Sequence, residues 1–521
     1  MASFCWQRSL VAIYFIRLMT KKESIFLGAI ILFGYYLRVM FLPVGALTFG
    51  YDQARDAYVA QEIVAGDMKI LGPPASTQGL YHGVFYYYFL ASAYAVSKSP
   101  IVAAYWTAAF NVIGVVLVYF LALLMTKKKL AGYMAAFLFA ISFESTQYAI
   151  WLSNPTLGAW TVPMIYLGLW LWLWEGKPWG VVLAGLGLGL SIQAEIFLVY
   201  HLVPVTIWVW VFRKKWPVRE FFNFIITLGL TLSTMVLVEV KFGFKGVGGV
   251  ANLLSSGESV SHGKSLGDFI ILFLNQLGRV YAHNSYPGNV GYGAMFVLGL
   301  LMYALMTWDK KKLTWEPFLG TWLLAHITVA SVGGTSTPFL LVGIGPAVSV
   351  LLGVYLAKWW DKQKMIAIIV LAVMIYGNLS MIMKENHHGQ TIFSIQSDMT
   401  IDNHEAALNY IYSESGREPF SVNTITSPLW VNTVWSYMFN WYGVEHYGYL
   451  PEWHGRDQVG RLGNNLAMVN EETKLYFLIS EPLQGIPPKF VEETYQTEDG
   501  VSKLVEEVKF DQVTVQKREK I

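Results

Sequence analysis

Tyr51-Asp52-Gln53-Ala54-Arg55-Asp56 follows closely on the first long apolar run of the chain, residues 24–43. It sets three ionisable side chains at the edge of a hydrophobic segment, where burying charge is costly. A segment that served only as an anchor has no use for them. Their meaning depends on what the neighbouring runs are and on which side of a membrane the stretch falls.

The 521 residues are 55% hydrophobic and 16% aromatic, and only 14% are charged. A soluble domain carries about a quarter charged residues. Mean hydropathy is +0.43, and apolar runs of about twenty residues recur, the length of a membrane-crossing helix. The class is therefore a polytopic, mainly α membrane protein. A net charge of +2 says little about partners, and nothing suggests nucleic acid. The single cysteine, Cys5, excludes an internal disulfide, and no Cys/His spacing fits a zinc site.

Residues 1–22 carry Arg8, Arg17, Lys21 and Lys22 without a small-residue cleavage site after them. They read as a cytoplasmic interfacial segment, with 24–43 as a retained first span and the N-terminus inside. The later basic clusters are Lys127–Lys129, Lys177, Arg213-Lys214-Lys215 with Arg219, Lys310–Lys312, and Lys358 with Lys362 and Lys364. Placing all of them in the cytoplasm requires an even number of crossings between neighbours. Spans at 24–43, 101–125, 131–149, 157–174, 179–192, 196–212, 221–240, 291–307, 316–332, 338–357 and 365–383 meet that rule, about eleven in all. Residues 84–97 are short for a span and would put Lys127–Lys129 outside. They are laid along the outer surface, as interfacial helix within a first external loop, 44–100. A second external loop covers 241–290. From 385 the chain turns polar, with a β-like run at Lys474–Ser480 and a helix-like 403–413. The expectation is a transmembrane module over 1–384 and a soluble extracytoplasmic α/β domain over 385–521.

The external face then collects the unusual polar residues. In a helix over 52–66, Asp52, Arg55, Asp56 and Val59 share one face, with Glu62 at its edge. That face reads either as an amphipathic surface with an internal ion pair or as a carboxylate held beside a cation, suited to deprotonating a hydroxyl. His82 lies further along the same loop. Asn154-Pro155 suits a helix start, with Asn154 as cap or as substrate contact. The tight turn Gln193-Ala194-Glu195 bears a carboxylate where Gly, Asn or Pro would be ordinary. Asn275, Arg279 and His283 fall at i, i+4 and i+8, a face that is either wet or phosphate-binding.

Taken in order, these stretches resemble a known family. Tyr51-Asp52-Gln53-Ala54-Arg55-Asp56-Ala57, followed by Glu62 and Gly66-Asp67, is similar to the "YDE-x-RYA…E…GD" signature of the GT-C membrane glycosyltransferases. The nearest groups are the protein O-mannosyltransferases and the bacterial lipid A aminoarabinose transferases. Gly79-Leu80-Tyr81-His82-Gly83 with its following aromatics, Asn154-Pro155, Asn275…Arg279…His283…Pro287 and Thr335-Ser336-Thr337-Pro338 resemble further motifs of that family, over roughly residues 25–360. Gln53 stands where the family carries Glu, and Asp56 where it carries Tyr.

The resemblance implies a GT-C-like fold and transfer of a sugar, with inversion, from a polyprenyl-phosphate donor on the extracytoplasmic side of a prokaryotic plasma membrane. Asp52 matches the family's base. Arg55, His82, Arg279, His283 and Asn275 are the candidates for donor phosphate and substrate. Asp56, Glu62, Asn154 and Glu195 are secondary candidates. The acceptor is a protein, a glycan or a lipid; no cofactor is fixed, and a divalent metal stays open. Two other readings remain, a transporter or flippase of lipid-linked saccharide and a sensor built around the 385–521 domain. Against the transporter stand spans nearly free of interior charge and the lack of an inverted repeat.

Overall fold

The computed structural model describes residues 14–15, 18–75, 79–249, 266–327, 338–394, 396–469 and 473–521. Cys5, most of the 1–22 segment, residues 250–265 of the second loop and Thr335-Ser336-Thr337 lie outside the described residues.

Among those described, five helices are long and apolar enough to cross a membrane: Lys21–Val44, Pro100–Thr126, Asn154–Leu173, Val218–Lys241 and Lys364–His388. Four shorter apolar helices, Lys129–Ile141, Trp179–Ala194, Ile196–Phe212 and Val290–Met306, stand at other apolar runs of the sequence. The surface of Val218–Lys241 is greasy: Phe222, Ile226, Leu230, Val236 and Val240 are all more than half exposed. In water such a face would be an aggregation site, and against lipid tails it is ordinary.

The helices begin and end for local reasons. Thr20 and Glu23 form a reciprocal capping box at the first helix, Thr20 N–H donating to Glu23 Oε2 at 2.7 Å. Glu23 also pairs with Lys129 at 2.7 Å, while Lys127 and Lys128 pair with Glu175 and Asp361. One end of the bundle thus gathers the basic cluster 127–129 with the ends of three other helices. Gly168 lets Gly158–Leu173 and Trp179–Ala194 pack with their backbones touching. A Cβ there would sit 2.3 Å from the Ala184 nitrogen.

One run read as a continuous span, 131–149, is broken. Lys129–Ile141 stops at Ser142, whose backbone leaves the helical region, and Phe143–Ala149 starts afresh with Ser142 Oγ accepting from Ser145 N–H. The break leaves the Ala140 carbonyl without a helical partner and the Phe139 carbonyl with only Ser142 N–H at 3.3 Å, and Arg38 reaches both. Its guanidinium donates to Ala140 O at 2.8 Å and Phe139 O at 3.2 Å, and also to Gly34 O, Ser145 Oγ and Asn111 Oδ1. Asn378 Oδ1 accepts from Phe143 N–H at 2.9 Å, and Ser142 Oγ donates to Asn284 Oδ1 at 2.6 Å. Polar groups otherwise ruinous in an apolar bundle are thereby satisfied.

The C-terminal part is a five-stranded sheet, β1 (Phe420–Ile425), β2 (Glu452–Trp453), β3 (Leu475–Ser480), β4 (Ser502–Phe510) and β5 (Val513–Lys520), in the order β2-β1-β3-β5-β4. β1 runs parallel to β2 and β3, and β5 antiparallel to β3 and β4. The helix Ile401–Ser415 packs on it. This part is not a free appendage. Phe49 N–H donates to Met399 O at 2.8 Å and Ile401 N–H to Leu47 O at 3.0 Å, so the segment before Tyr51 is zipped to the segment before Ile401. Tyr58 meets Ser436 and Gln61 meets Tyr437, both at 3.0 Å.

Replacing Arg38 by Met leaves the Ala140 carbonyl buried without a donor and the Phe139 carbonyl with Ser142 N–H alone. The expected loss is about 3 kcal/mol or more, read as a lower melting temperature in detergent. Stability equal to the parent protein would show that Arg38 does not hold the break.

Candidate active site

At the bundle end away from Lys127–Lys129 lies a cavity of about 730 Å³. Its polar wall is the start of the helix Tyr51–Val64. Gly50 opens that helix, and its N–H donates to Gln53 Oε1 at 3.0 Å. A glutamine oxygen accepts from the N-cap N–H as a glutamate's would, so Gln53 keeps that contact at the position where the related motif has Glu.

Asp52 then falls in the first turn, where the helix dipole favours a negative charge. Its side chain is 61% exposed, and Oδ1 accepts from Arg55 Nη1 at 2.6 Å. Arg55 turns its other edge to Asp56, with Nε at 2.8 Å and Nη2 at 2.7 Å from Asp56 Oδ1. Burial works against the guanidinium charge, but Asp56 and Asp52 outweigh it and hold Arg55 more firmly protonated than usual. Asp56 does not share the open face with Asp52. Its side chain is 1% exposed, because the helix turns that position toward the tyrosines Tyr86 and Tyr87. Burial pushes its carboxyl up, and the adjoining guanidinium pulls it back. Asp52 is thus the carboxylate offered to the cavity, and Asp56 the one that neutralises its clamp.

His82, Asn154 and Glu195 reach the same cavity from three other segments. Gly83 N–H donates to Gln193 O at 2.8 Å, and Gln193 Oε1 accepts from Phe85 N–H at 3.2 Å. No side chain fits at Gly83, where a Cβ would lie 2.7 Å from the Gln193 Cα. That docking sets His82 beside Glu195, with Nδ1 3.6 Å from Glu195 Oε1 and accepting from Ile196 N–H at 3.2 Å. Burial, and then the Arg55 charge, bring the imidazole down to about 4. It is neutral at pH 7, with its proton on Nε2. Asn154 is not a cap: its Nδ2 donates to Ala194 O at 2.6 Å and ties the 151–157 turn to the 193–195 turn.

The remaining candidates are placed elsewhere. Glu62, at the far end of its helix, pairs with Lys69 at 2.8 Å. Arg279 lies 3.7 Å from the buried Glu144, and His283 sets its ring edge-on to Phe143. Asn275 is exposed. None of the four lines this cavity.

The opposite wall comes from residues that sequence spacing did not single out. Phe393 stacks between Tyr148 and Trp151, with centroids at 4.4 and 4.6 Å, and Gln396, Ser427 and Pro428 close the C-terminal side. Ser427 follows the carboxy end of β1, and β1 and β3 run parallel. In α/β sheets the carboxy ends of parallel strands are where ligands are bound, and that rule was the available signal.

No protein-family model and no curated protein matches the chain. Among solved structures, the chain is similar to that titled "Crystal Structure of ArnT from Cupriavidus metallidurans bound to Undecaprenyl phosphate", with a TM-score of 0.60. The match covers 96% of this chain and 98% of that one, at 11% sequence identity. The fold is of the GT-C class. More narrowly, it is the fold of ArnT, helical bundle and C-terminal sheet together.

The depressed imidazole has a measurable consequence. His82 gains protons only near pH 4 in the folded protein and near 6.5 when unfolded. Between those values the unfolded chain binds more protons, so stability present above about pH 6.5 is lost as the pH falls toward 4. His82→Gln is expected to flatten that part of a melting-temperature profile, and an unchanged profile would show that His82 is not buried as described.

Proposed function

We propose that the protein is an inverting glycosyltransferase. It moves a sugar from a polyprenyl-phosphate donor to an acceptor hydroxyl, with Asp52 as base. The observation that carries this reading is the state of Asp52, which is exposed to a cavity, fixed by Arg55, and backed by a second carboxylate that satisfies that arginine. An acceptor hydroxyl attacks the anomeric carbon, Asp52 takes its proton, and the bond from that carbon to the phosphate oxygen breaks with its electron pair leaving on the polyprenyl phosphate. A base must lie within hydrogen-bond reach of the hydroxyl it deprotonates, and an open carboxylate at a helix start meets that need. The GT-C fold supports the reading, as does a relative of that fold titled as bound to undecaprenyl phosphate.

For the phosphate, Arg55 is the cation among the described lining residues. His82 contributes a neutral Nε2–H donor. Arg279 serves as counter-ion to Glu144, and His283 and Asn275 act outside the cavity. The bundle end opposite the cavity carries Lys127–Lys129, and the excess of Lys and Arg on cytoplasmic loops favours an extracytoplasmic site. Eleven crossings, with the N-terminus inside and the C-terminal part outside, remain the topology that fits these charges.

Asp52→Asn keeps the shape of the side chain and its contact with Arg55. It should cost at least about a hundredfold in turnover with the melting temperature retained. Transfer at the rate of the parent protein would remove Asp52 from the role of base.

A further inference from the structure

Gln396 lies in the cavity wall contributed by the C-terminal part. Its amide nitrogen is committed: Nε2 donates to Glu481 Oε2 at 3.1 Å and to Pro482 O at 2.9 Å. Turning the amide over would aim its oxygen at two acceptors, so the contacts themselves fix which end faces outward. The outward end is Oε1, which overhangs Gly50 and would lie 3.8 Å from a Cβ built there. Gly50 is two residues from Asp52. Glu481 is 3% exposed and rigidly held. Its Oε2 also accepts from Ser427 N–H at 2.9 Å, its Oε1 accepts from Trp435 Nε1 at 3.1 Å, and its own N–H donates to Ile425 O. The result is a buried carboxylate whose evident work is to hold an amide with its oxygen toward the cavity.

We propose that Gln396 determines specificity, presenting Oε1 as a fixed acceptor to a hydroxyl of the transferred sugar, and that Glu481 is its positioning residue. This rests on the glycosyltransferase reading above. The reacting carbon lies beside Asp52, so the sugar bearing that carbon is the part of the donor nearest the overhanging amide. A site built to pair with a substrate hydroxyl rejects the analogue lacking it, because its own polar atom is left desolvated and unpaired.

The test measures binding, not turnover, by quenching of tryptophan fluorescence in the full-length protein in detergent. The probes are undecaprenyl phosphate, undecaprenyl-phosphate glucose and mannose, and the monodeoxy counterparts of both sugars. The wild type is expected to prefer a parent sugar over one deoxy counterpart by about tenfold or more. Gln396→Leu should erase that preference while binding undecaprenyl phosphate as before. Glu481→Gln, which frees the amide to turn over, should reduce it. A preference that survives in both variants, or is absent from a wild type that binds these lipids, overturns the proposal. A wild type that binds neither undecaprenyl phosphate nor any lipid-linked sugar overturns the glycosyltransferase reading, and this inference with it.

Discussion

The bundle is organised around one broken helix. Where Lys129–Ile141 gives way to Phe143–Ala149, the chain gives up regular hydrogen bonding inside an apolar environment; Arg38 and Asn378 make good the loss, with Asn111 holding Arg38 and Asn284 holding Ser142 Oγ. The break re-aims everything after it. Phe143–Ala149 leads directly into Trp151 and Asn154 at the cavity. From the same short helix, Gln147 accepts from Ile392 N–H at 2.7 Å and donates to Asn386 Oδ1 at 2.6 Å. That grip holds the start of the polar C-terminal chain over the bundle, so that Phe393 and Gln396 arrive in the wall. An unbroken helix would direct residues 143–157 elsewhere, and the cavity would lose two of its sides.

The electrostatics of the cavity are set by one shared cation. Arg55 serves two carboxylates, His82 is neutral, and Glu195 is buried with Phe197 N–H as a donor at 3.3 Å. The arrangement does more to orient Asp52 than to accumulate positive charge. An arginine answering to Asp56 alone would leave Asp52 free to rotate, and one answering to Asp52 alone would leave the buried Asp56 without a cation, which is costly.

Much of the site was legible because it follows helical spacing. Asp52 and Arg55 three residues apart, and a carboxylate in the tight turn at Glu195, are local patterns, and the folded chain brings them into one cavity. Asp56 was read onto the same face as Asp52 and is instead packed inward, since helical spacing shows which residues neighbour one another but not which way the face is turned. Arg279 and His283 have a regular spacing too, but spacing carries no information about partners, and the partner of Arg279 is Glu144, well over a hundred residues away. The aromatic and amide wall from 393–428 could not be seen at all in local pattern. It depends on a docking between segments about 350 residues apart, the Thr48–Thr400 bridge being the clearest instance. The broken helix escaped for a different reason, because Ser142 is unremarkable within an apolar run and its meaning lies in the arginine a hundred residues earlier.

That docking has a consequence for biogenesis. The carboxylate is made among the first sixty residues, but the wall facing it is not synthesised until four fifths of the chain is complete. A ribosome-bound or prematurely terminated chain therefore carries Asp52 without the wall that faces it. The pocket can close only after residues 393–428 have been made, well after the early helices.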